Sequence, residues 1–250
     1  MSDFFRFPHT PHIDWLGEGM PRDDKVLSAA EVEAILAQPL RIEEKLDGAN
    51  LGISMRANGE LRAQNRGQYL LEPFAGQFSR LNSWLAQHRY ALCDSLQSDW
   101  ILFGEWCAAR HSLDYDNLPD WFVVFDVYDR SEQKFWSCER RNALAAKMGL
   151  AVVPTLYQGQ TTLDELKTLL NTVSSQYRQG TPEGIVMRHD SEQWCEARAK
   201  LVRADFAQSI EEHWRSRAIE WNDVRLVTAA DFEKALTLVG LLVLQNKGLV

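Results

Sequence analysis

Glu44-Lys45-Leu46-Asp47-Gly48-Ala49-Asn50 is the stretch that decides how this chain folds and what it can do. It closes a run, Arg41–Leu46, that reads as a buried strand, after which Asp47 and Gly48 make a turn. An amine is thereby set at the mouth of a sheet. Desolvation there, together with neighbouring cations, would lower the pKa of Lys45 and make it a nucleophile. K-x-D-G is weak evidence alone, since a chain of this length shows K-x-[DH]-G by accident with a probability of roughly one in ten or twenty. The ordinary alternative is a hairpin carrying a surface lysine.

Working outward, Leu51–Arg56 and Glu60–Asn65 read as strands on either side of Ala57-Asn58-Gly59, and Asn-Gly between two such runs signals a hairpin. Pro73–Tyr90 spaces Phe74, Phe78, Leu81 and Leu85 at helical intervals, which predicts an amphipathic helix. Asp99–Trp106 and Trp121–Tyr128 are apolar, aromatic and β-branched, so they read as buried strands. Glu139–Gly149 reads as a helix stopped by Gly149. Thr162–Leu170 reads as another, with Thr162 as N-cap ahead of Asp164 and Glu165. The turn Gly180–Gly184 feeds a strand, Ile185–Arg188, and a second strand follows near Trp194–Val202. From Phe206 onward the pattern is mostly helical.

Hairpin-linked strands interleaved with helices imply an α+β fold, with antiparallel sheets flanked by helices. The alternation of a doubly wound fold is missing, and so are phosphate loops of the G-x-x-x-x-G-K-[ST] or G-x-G-x-x-G kind. A nucleotide, if bound, must be held by another design.

Composition sets further bounds. Hydrophobic residues make up 45% and charged residues 25%, ordinary for a globular protein. The formal net charge of −8 argues against a generally basic surface, so a nucleic-acid enzyme of this kind would gather its cations locally. Arg62 with Arg66, Arg110 with His111, Arg188 with His189, and Arg198, Lys200 and Arg203 are such groupings. Cys93, Cys107, Cys138 and Cys195 are widely separated, which reads as reduced thiols rather than disulfides or a zinc site. The spacing of His9, His12, His111 and His213 fits no zinc pattern. Met1–Met20 carries charges and prolines throughout, unlike a secretory signal. Ala235–Leu244 is too short to span a bilayer and reads as a docking helix, with the Phe232–Leu244 stripe packed in a core. A cytoplasmic protein with no membrane partner is expected.

Four further segments stand downstream in a fixed order: Phe103-Gly104-Glu105-Trp106, Phe122–Tyr128, Pro182–Arg188, and Ala199-Lys200-Leu201-Val202-Arg203. Singly, each has a plain reading, with Glu105 a strand-end carboxylate, Phe125 a core residue and Pro182-Glu183-Gly184 a turn. As an ordered series behind Lys45 they resemble the covalent nucleotidyltransferases, the superfamily of ATP-dependent RNA and DNA ligases and mRNA capping enzymes. The likeness is greatest to RNA ligases of the phage T4 RNA ligase 2 type. Phe7–His12, Arg110–Tyr115 and Glu212-His213-Trp214 look like a bacterial branch of that family, so the resemblance spans roughly residues 7–225.

The resemblance implies an adenylyltransferase domain over residues 1–205 and a helical C-terminal extension over 206–250 packed on it, with too few residues after Arg203 for an OB-fold. It implies that Lys45 attacks the α-phosphorus of ATP, while Asn50 and Arg66 hold phosphate or an incoming 5′-phosphate end. Glu105 would bind the ribose hydroxyls and Phe125 would stack on adenine. Glu183 would orient the lysine or hold Mg²⁺ or Mn²⁺, with Glu105 as a second carboxylate for the metal. Lys200 would contact the α-phosphate, Arg198 would add a second cation nearby, and Lys200 close to Lys45 would favour the neutral amine by like-charge repulsion. The implied partners are RNA ends, 5′-phosphate and 3′-OH, in a nicked duplex or in single strands, together with an end-healing kinase/phosphatase in RNA repair. Two alternatives stand beside this: a DNA ligase or other polynucleotide adenylyltransferase, and an inactive module that binds nucleic-acid ends.

Overall fold

The strand that ends in Lys45 and the strand that begins at Ala49 belong to different sheets. In the computed structural model, which describes residues 4–19, 21, 25–209 and 218–225, the order is α1 (Ala29–Leu36), β1 (Leu40–Lys45), β2 (Ala49–Met55), β3 (Leu61–Gln64), α2 (Leu81–Ser95), β4 (Trp100–Trp106), β5 (Phe122–Asp129), β6 (Lys134–Phe135), α3 (Cys138–Lys147), β7 (Thr155–Gly159), α4 (Leu163–Thr172), β8 (Gly184–Asp190), β9 (Cys195–Val202) and α5 (Ala204–Ser209). One sheet runs β7-β1-β8-β9 and the other β3-β2-β4-β5-β6, and every strand pair is antiparallel. The fold is α+β, as the pattern predicts. The hairpin reading of the lysine turn is overturned, because residues 46–48 carry the chain from one sheet to the other.

Alternation explains what each sheet buries. In the first, Leu40, Ile42, Ile185, Met187, Ala199 and Leu201 pack against Ile35 of α1 and Leu166 and Leu170 of α4. The intervening positions, among them Glu43, Arg188 and Arg198, look the other way, into a cleft between the sheets. In the second sheet Leu51, Ile53, Leu102, Trp106, Phe122 and Val124 pack against Leu81, Trp84 and Leu92 of α2 and Leu144 and Ala145 of α3. The β4–β5 pairing shifts by one residue at Phe125, since Phe103 opposes Asp126 while Gly104 opposes Val124. This bulge reverses the alternation, so that Val127 rejoins the core and Phe125 and Asp126 both border the cleft.

The sheets meet through charge rather than oil. Asp126 of β5 accepts from Arg188 of β8 at 2.8 Å and from Arg198 of β9 on its second oxygen. Arg141 of α3 reaches Glu43 of β1 at 3.1 Å. Arg141 and Arg188 also donate to the Phe125 carbonyl, at 2.7 and 3.1 Å, which supplies the partners that a bulged residue lacks in its ladder.

Local signals account for much of the rest. Thr162 and Glu165 form a capping box on α4, and Ser137 caps α3. The predicted helix over Pro73–Tyr90 is instead α2 over Leu81–Ser95, and Phe74 and Phe78 precede it. Gly76, at φ 59°, takes the chain out of helical geometry, leaving only a 3₁₀ turn over Gly76–Phe78. The C-terminal stretch is helical as expected where α5 runs to Ser209, and differs farther on. Residues 218–225 run along the loop after β4 rather than as a helix, bridging Trp221 to Ala109 and Val224 to Leu118. Glu212-His213-Trp214 and the Phe232–Leu244 stripe, with the Ala235–Leu244 docking helix, lie outside the described residues. Among the described residues the four cysteines are free, and no helix is long and apolar enough to cross a membrane.

Candidate active site

The sheet-to-sheet crossing sets the geometry. Lys45 ends β1 opposite Gly184 of β8, which brings Glu183 alongside, and the Lys45 Nζ donates to its Oε2 at 2.6 Å. On the far side of the turn Asn50, the second residue of β2, lies directly opposite Glu105 of β4. Gly48 is required between them. Its N–H donates to the Glu105 Oε1 at 3.1 Å, and a Cβ there would stand 2.7 Å from the Trp106 carbonyl oxygen. Gly48→Ala is expected to destabilise the protein by about 2–3 kcal/mol through forced displacement of β4, read from the denaturation midpoint.

Asp47 turns away from the amine. Its carboxylate accepts from the backbone N–H groups of Ser112 and Leu113, each at 2.7 Å, and its own N–H donates to the Tyr115 hydroxyl at 2.7 Å. The acid of the K-x-D-G turn therefore anchors the loop that follows β4.

Lys45, Asn50, Arg66, Glu105, Phe125, Glu183 and Arg198 all line one cleft of about 580 Å³. Arg66 sits at the tip of a turn in which the Asn65 side chain accepts from the Gly67 and Gln68 N–H groups. The Arg198 guanidinium is held by Asp126 and lies over the rings of Phe7 and Phe135, at 4.6 and 4.1 Å. Lys200 stands opposite Val186 on β9, two residues from Arg198, and its charge acts on Glu183.

Burial, helped by the charge of Asp47 and opposed by Lys45, leaves the Glu105 and Glu183 carboxyls raised to about 7. Burial also presses Lys45 toward its neutral form. Glu183, Glu105 and Asp47 together outweigh that, and the amine is held above the ordinary lysine value. The expectation of a depressed Lys45 pKa is thus reversed: the carboxylates set its charge, and Lys45 rests as an ammonium on Glu183.

Two polar atoms in the cleft wall, Asn50 Oδ1 and Arg66 Nε, are buried without a hydrogen-bond partner. An orphaned acceptor and an orphaned guanidinium nitrogen, beside two carboxyls short of positive charge, describe a site shaped for a charged ligand. Among the described residues no group of three or more His, Cys, Asp and Glu is arranged as a metal cage. Two glutamates and a ligand's own oxygens are a donor set that suits Mg²⁺ or Mn²⁺.

The sequence model of the RNA ligase family matches residues 38–202. The chain belongs to the RNA ligase family. Among solved structures, this RNA ligase family member is similar to an apo mutant of the Naegleria gruberi RNA ligase, with a TM-score of 0.61 and 14% identity over 85% of this chain and 60% of that one. A mutant of the same enzyme with ATP and Mn gives 0.58 and 15%, covering 83% and 59%, and a structure with PPi gives 0.55 and 16%, covering 74% and 55%. These likenesses show the fold, and the chain spans about 60% of the length of the first of them. No curated protein matches it.

Several wall residues of this RNA ligase family member are given no place in the site by the sequence reading. His111, 6% exposed, has its Nε2 at 2.7 Å from the Gln77 side-chain oxygen, and both line the cleft. Phe7 does so from the far N-terminal side of the matched segment. Phe7–His12 and Arg110–Tyr115 are visible as segments of the resemblance, without a site role for Phe7, and nothing in the pattern around Gln77 marks it as a neighbour of Lys45.

Proposed function

We propose that this protein is an ATP-dependent RNA ligase that joins 3′-OH and 5′-phosphate ends through a lysyl-AMP intermediate on Lys45. The observation that carries the reading is the contact between Lys45 Nζ and Glu183 at 2.6 Å, in a cleft shared with Asn50, Arg66, Glu105 and Phe125. Structures of the Naegleria ligase hold ATP and Mn or AMP and Mn, and the donors in this cleft fit the same pair.

In the first step Lys45 gives its proton to Glu183, the carboxylate in contact with its Nζ at 2.6 Å. The neutral amine attacks the α-phosphorus, the bond to the leaving pyrophosphate breaks, and a phosphoramidate to AMP forms. Phe125 stacks on the base and Glu105 holds the ribose. Arg66, Asn50 and Lys200 hold phosphate oxygens and spread the charge that builds during transfer. A divalent cation, held by Glu105 and Glu183, would supply further charge neutralisation at the phosphates. AMP then passes to a 5′-phosphate end, and a 3′-OH displaces it to seal the strand. Arg198, already engaged by Asp126, contributes positive potential to the wall rather than a flexible contact. An adenylyltransferase unit over residues 1–205, with residues 206–250 packed on it, belongs to the same reading, as do RNA repair and an end-healing kinase/phosphatase acting upstream.

The test is covalent labelling. Protein incubated with α-³²P-labelled ATP and Mg²⁺ or Mn²⁺ is expected to carry a label that survives denaturation and is reversed by pyrophosphate. Lys45→Ala should lose it entirely, and Glu183→Gln should slow it by about a hundredfold or more, in the range of a lost general base. RNA and DNA nicks compared afterwards separate an RNA ligase from a DNA ligase. Absence of label from folded protein under either metal would leave an end-binding module as the better account.

A further inference from the structure

Residues 4–13 form a strap that crosses from one sheet to the other. At one end the Phe5 carbonyl accepts from the Gln64 side chain of β3 at 2.8 Å, and the Phe5 ring stacks on Tyr128 of β5 at 3.6 Å. At the other end the Pro11 carbonyl accepts from the Lys200 N–H, and the Ile13 N–H donates to the Lys200 carbonyl, each at 2.9 Å. Between them Phe7, 4% exposed, meets Phe125 edge-on at 5.3 Å and 72°. The whole strap lies upstream of the family-matched segment, which begins at residue 38.

Phe125 has a particular need for such support. As the extra residue of a bulge it has no cross-strand partner. Arg141 and Arg188 fix its carbonyl, but they leave the ring's orientation to its neighbours. A ring set edge-on beside it blocks rotation away from the cleft and favours the orientation that presents the ring face to a ligand. Phe7 is itself held, by Phe103 and Phe135 at 4.9 and 5.3 Å and by the Arg198 guanidinium over its face.

We infer that Phe7, on the N-terminal strap, is a positioning residue for the nucleobase of ATP: it splints Phe125 as a stacking platform and so sets affinity through the base rather than the phosphates. This rests on the lysyl-AMP reading given above. Removing the ring opens a hole into which Phe125 falls back, and the base loses its stacking partner. The triphosphate contacts, made by Lys45, Arg66 and Lys200, are untouched.

The experiment uses the full chain and reads single-step lysyl-AMP formation, with inorganic tripolyphosphate as a competitor that has no base. Phe7→Ala is expected to raise KM for ATP about tenfold, within the range that base–aromatic stacking contributes. The maximal rate should stay within about twofold, and inhibition by tripolyphosphate should not change. Phe7→Leu, which keeps most of the volume, is expected to raise KM about threefold with the same tripolyphosphate response, and it carries the test if Phe7→Ala does not fold. A KM for ATP within twofold of wild type in the folded variants overturns the inference. So does a parallel loss of ATP and tripolyphosphate binding, which a merely structural strap would give. Failure of the wild type to form lysyl-AMP sinks the parent reading instead, and the two failures are distinct.

Discussion

Asp126→Ala is expected to destabilise the protein by about 3–5 kcal/mol, the range for breaking a buried ion pair by removing one partner. The carboxylate is 1% exposed and holds two guanidiniums from the opposite sheet, Arg188 at 2% exposure and Arg198 beside it. Truncation leaves both guanidiniums facing each other without the carboxylate that bridged them, in a largely buried part of the cleft wall. The penalty is mostly that of the stranded cations, not the net worth of the pair. Arg188 would retain its bonds to the Phe125 and Trp136 carbonyls, which moderate the loss without neutralising the charge. The control is Asp94→Ala. It removes an ion pair to Lys147 in which both side chains are more than half exposed, and it should change stability by less than about 0.5 kcal/mol. Urea denaturation of the two variants beside wild type measures both. Equal small shifts would mean that the sheets are held by something other than this buried pairing.

The same clamp bears on function. Two sheets joined through oil would close on each other, whereas sheets joined by charges at Asp126 and Glu43 leave a wall that is rigid and polar. Both ion pairs border the cleft, so the device that sets the spacing of Lys45 and Phe125 also lines the space between them.

Elements whose ends carry local chemistry were legible in the sequence. Asn58-Gly59 located the β2–β3 hairpin, and Thr162 with Glu165 marked the start of α4, because those signals act within a few residues. What failed was partner choice. Periodicity shows that Arg41–Leu46 is a strand, but not that β1 pairs with β7 and β8, far along the chain, while β2 joins the other sheet. The spacing of Phe74, Phe78, Leu81 and Leu85 fits a helix equally well whether or not Gly76 interrupts it, so the wrong start followed.

The candidate site shows the same division. Motif order named Lys45, Asn50, Glu105, Phe125 and Glu183, and the fold brings all five to one cleft. The sign of the Lys45 pKa shift was not legible. Sequence spacing put Lys200 and Glu183 on equal terms, and only the register of β1 against β8 shows the carboxylate in contact with the amine. Asp47 was visible only as a turn residue, since its two backbone partners, Ser112 and Leu113, come from a loop far downstream.

Glu105→Gln is expected to stabilise the protein at pH 8 while impairing nucleotidyl transfer. The Glu105 carboxyl rises from 4.5 to about 7 in the folded chain because burial, Glu183 and Asp47 disfavour its charge more than Lys45 and Arg66 favour it. A group with a raised folded pKa lends stability that is full below its unfolded value and lost as pH climbs through the folded one. The wild type therefore carries no penalty from Glu105 at pH 4.5 and most of it by pH 8. Glutamine cannot ionise, yet its side-chain oxygen can still accept from the Gly48 N–H. In metal-free buffer, urea midpoints should differ little at pH 4.5 and favour the variant by about 2 kcal/mol at pH 8, discounted from the full shift for relaxation around the site. Adding Mg²⁺ at pH 8 should narrow the gap by stabilising the wild type, because a cation bound between Glu105 and Glu183 relieves the charge that the variant lacks. A variant that is less stable by the same amount at both pH values would show that Glu105 serves the fold through the Gly48 bond alone. A gap that opens between pH 4.5 and pH 8 would instead mean that this corner of the protein holds an unrelieved charge, kept there at the expense of stability because the chemistry needs it.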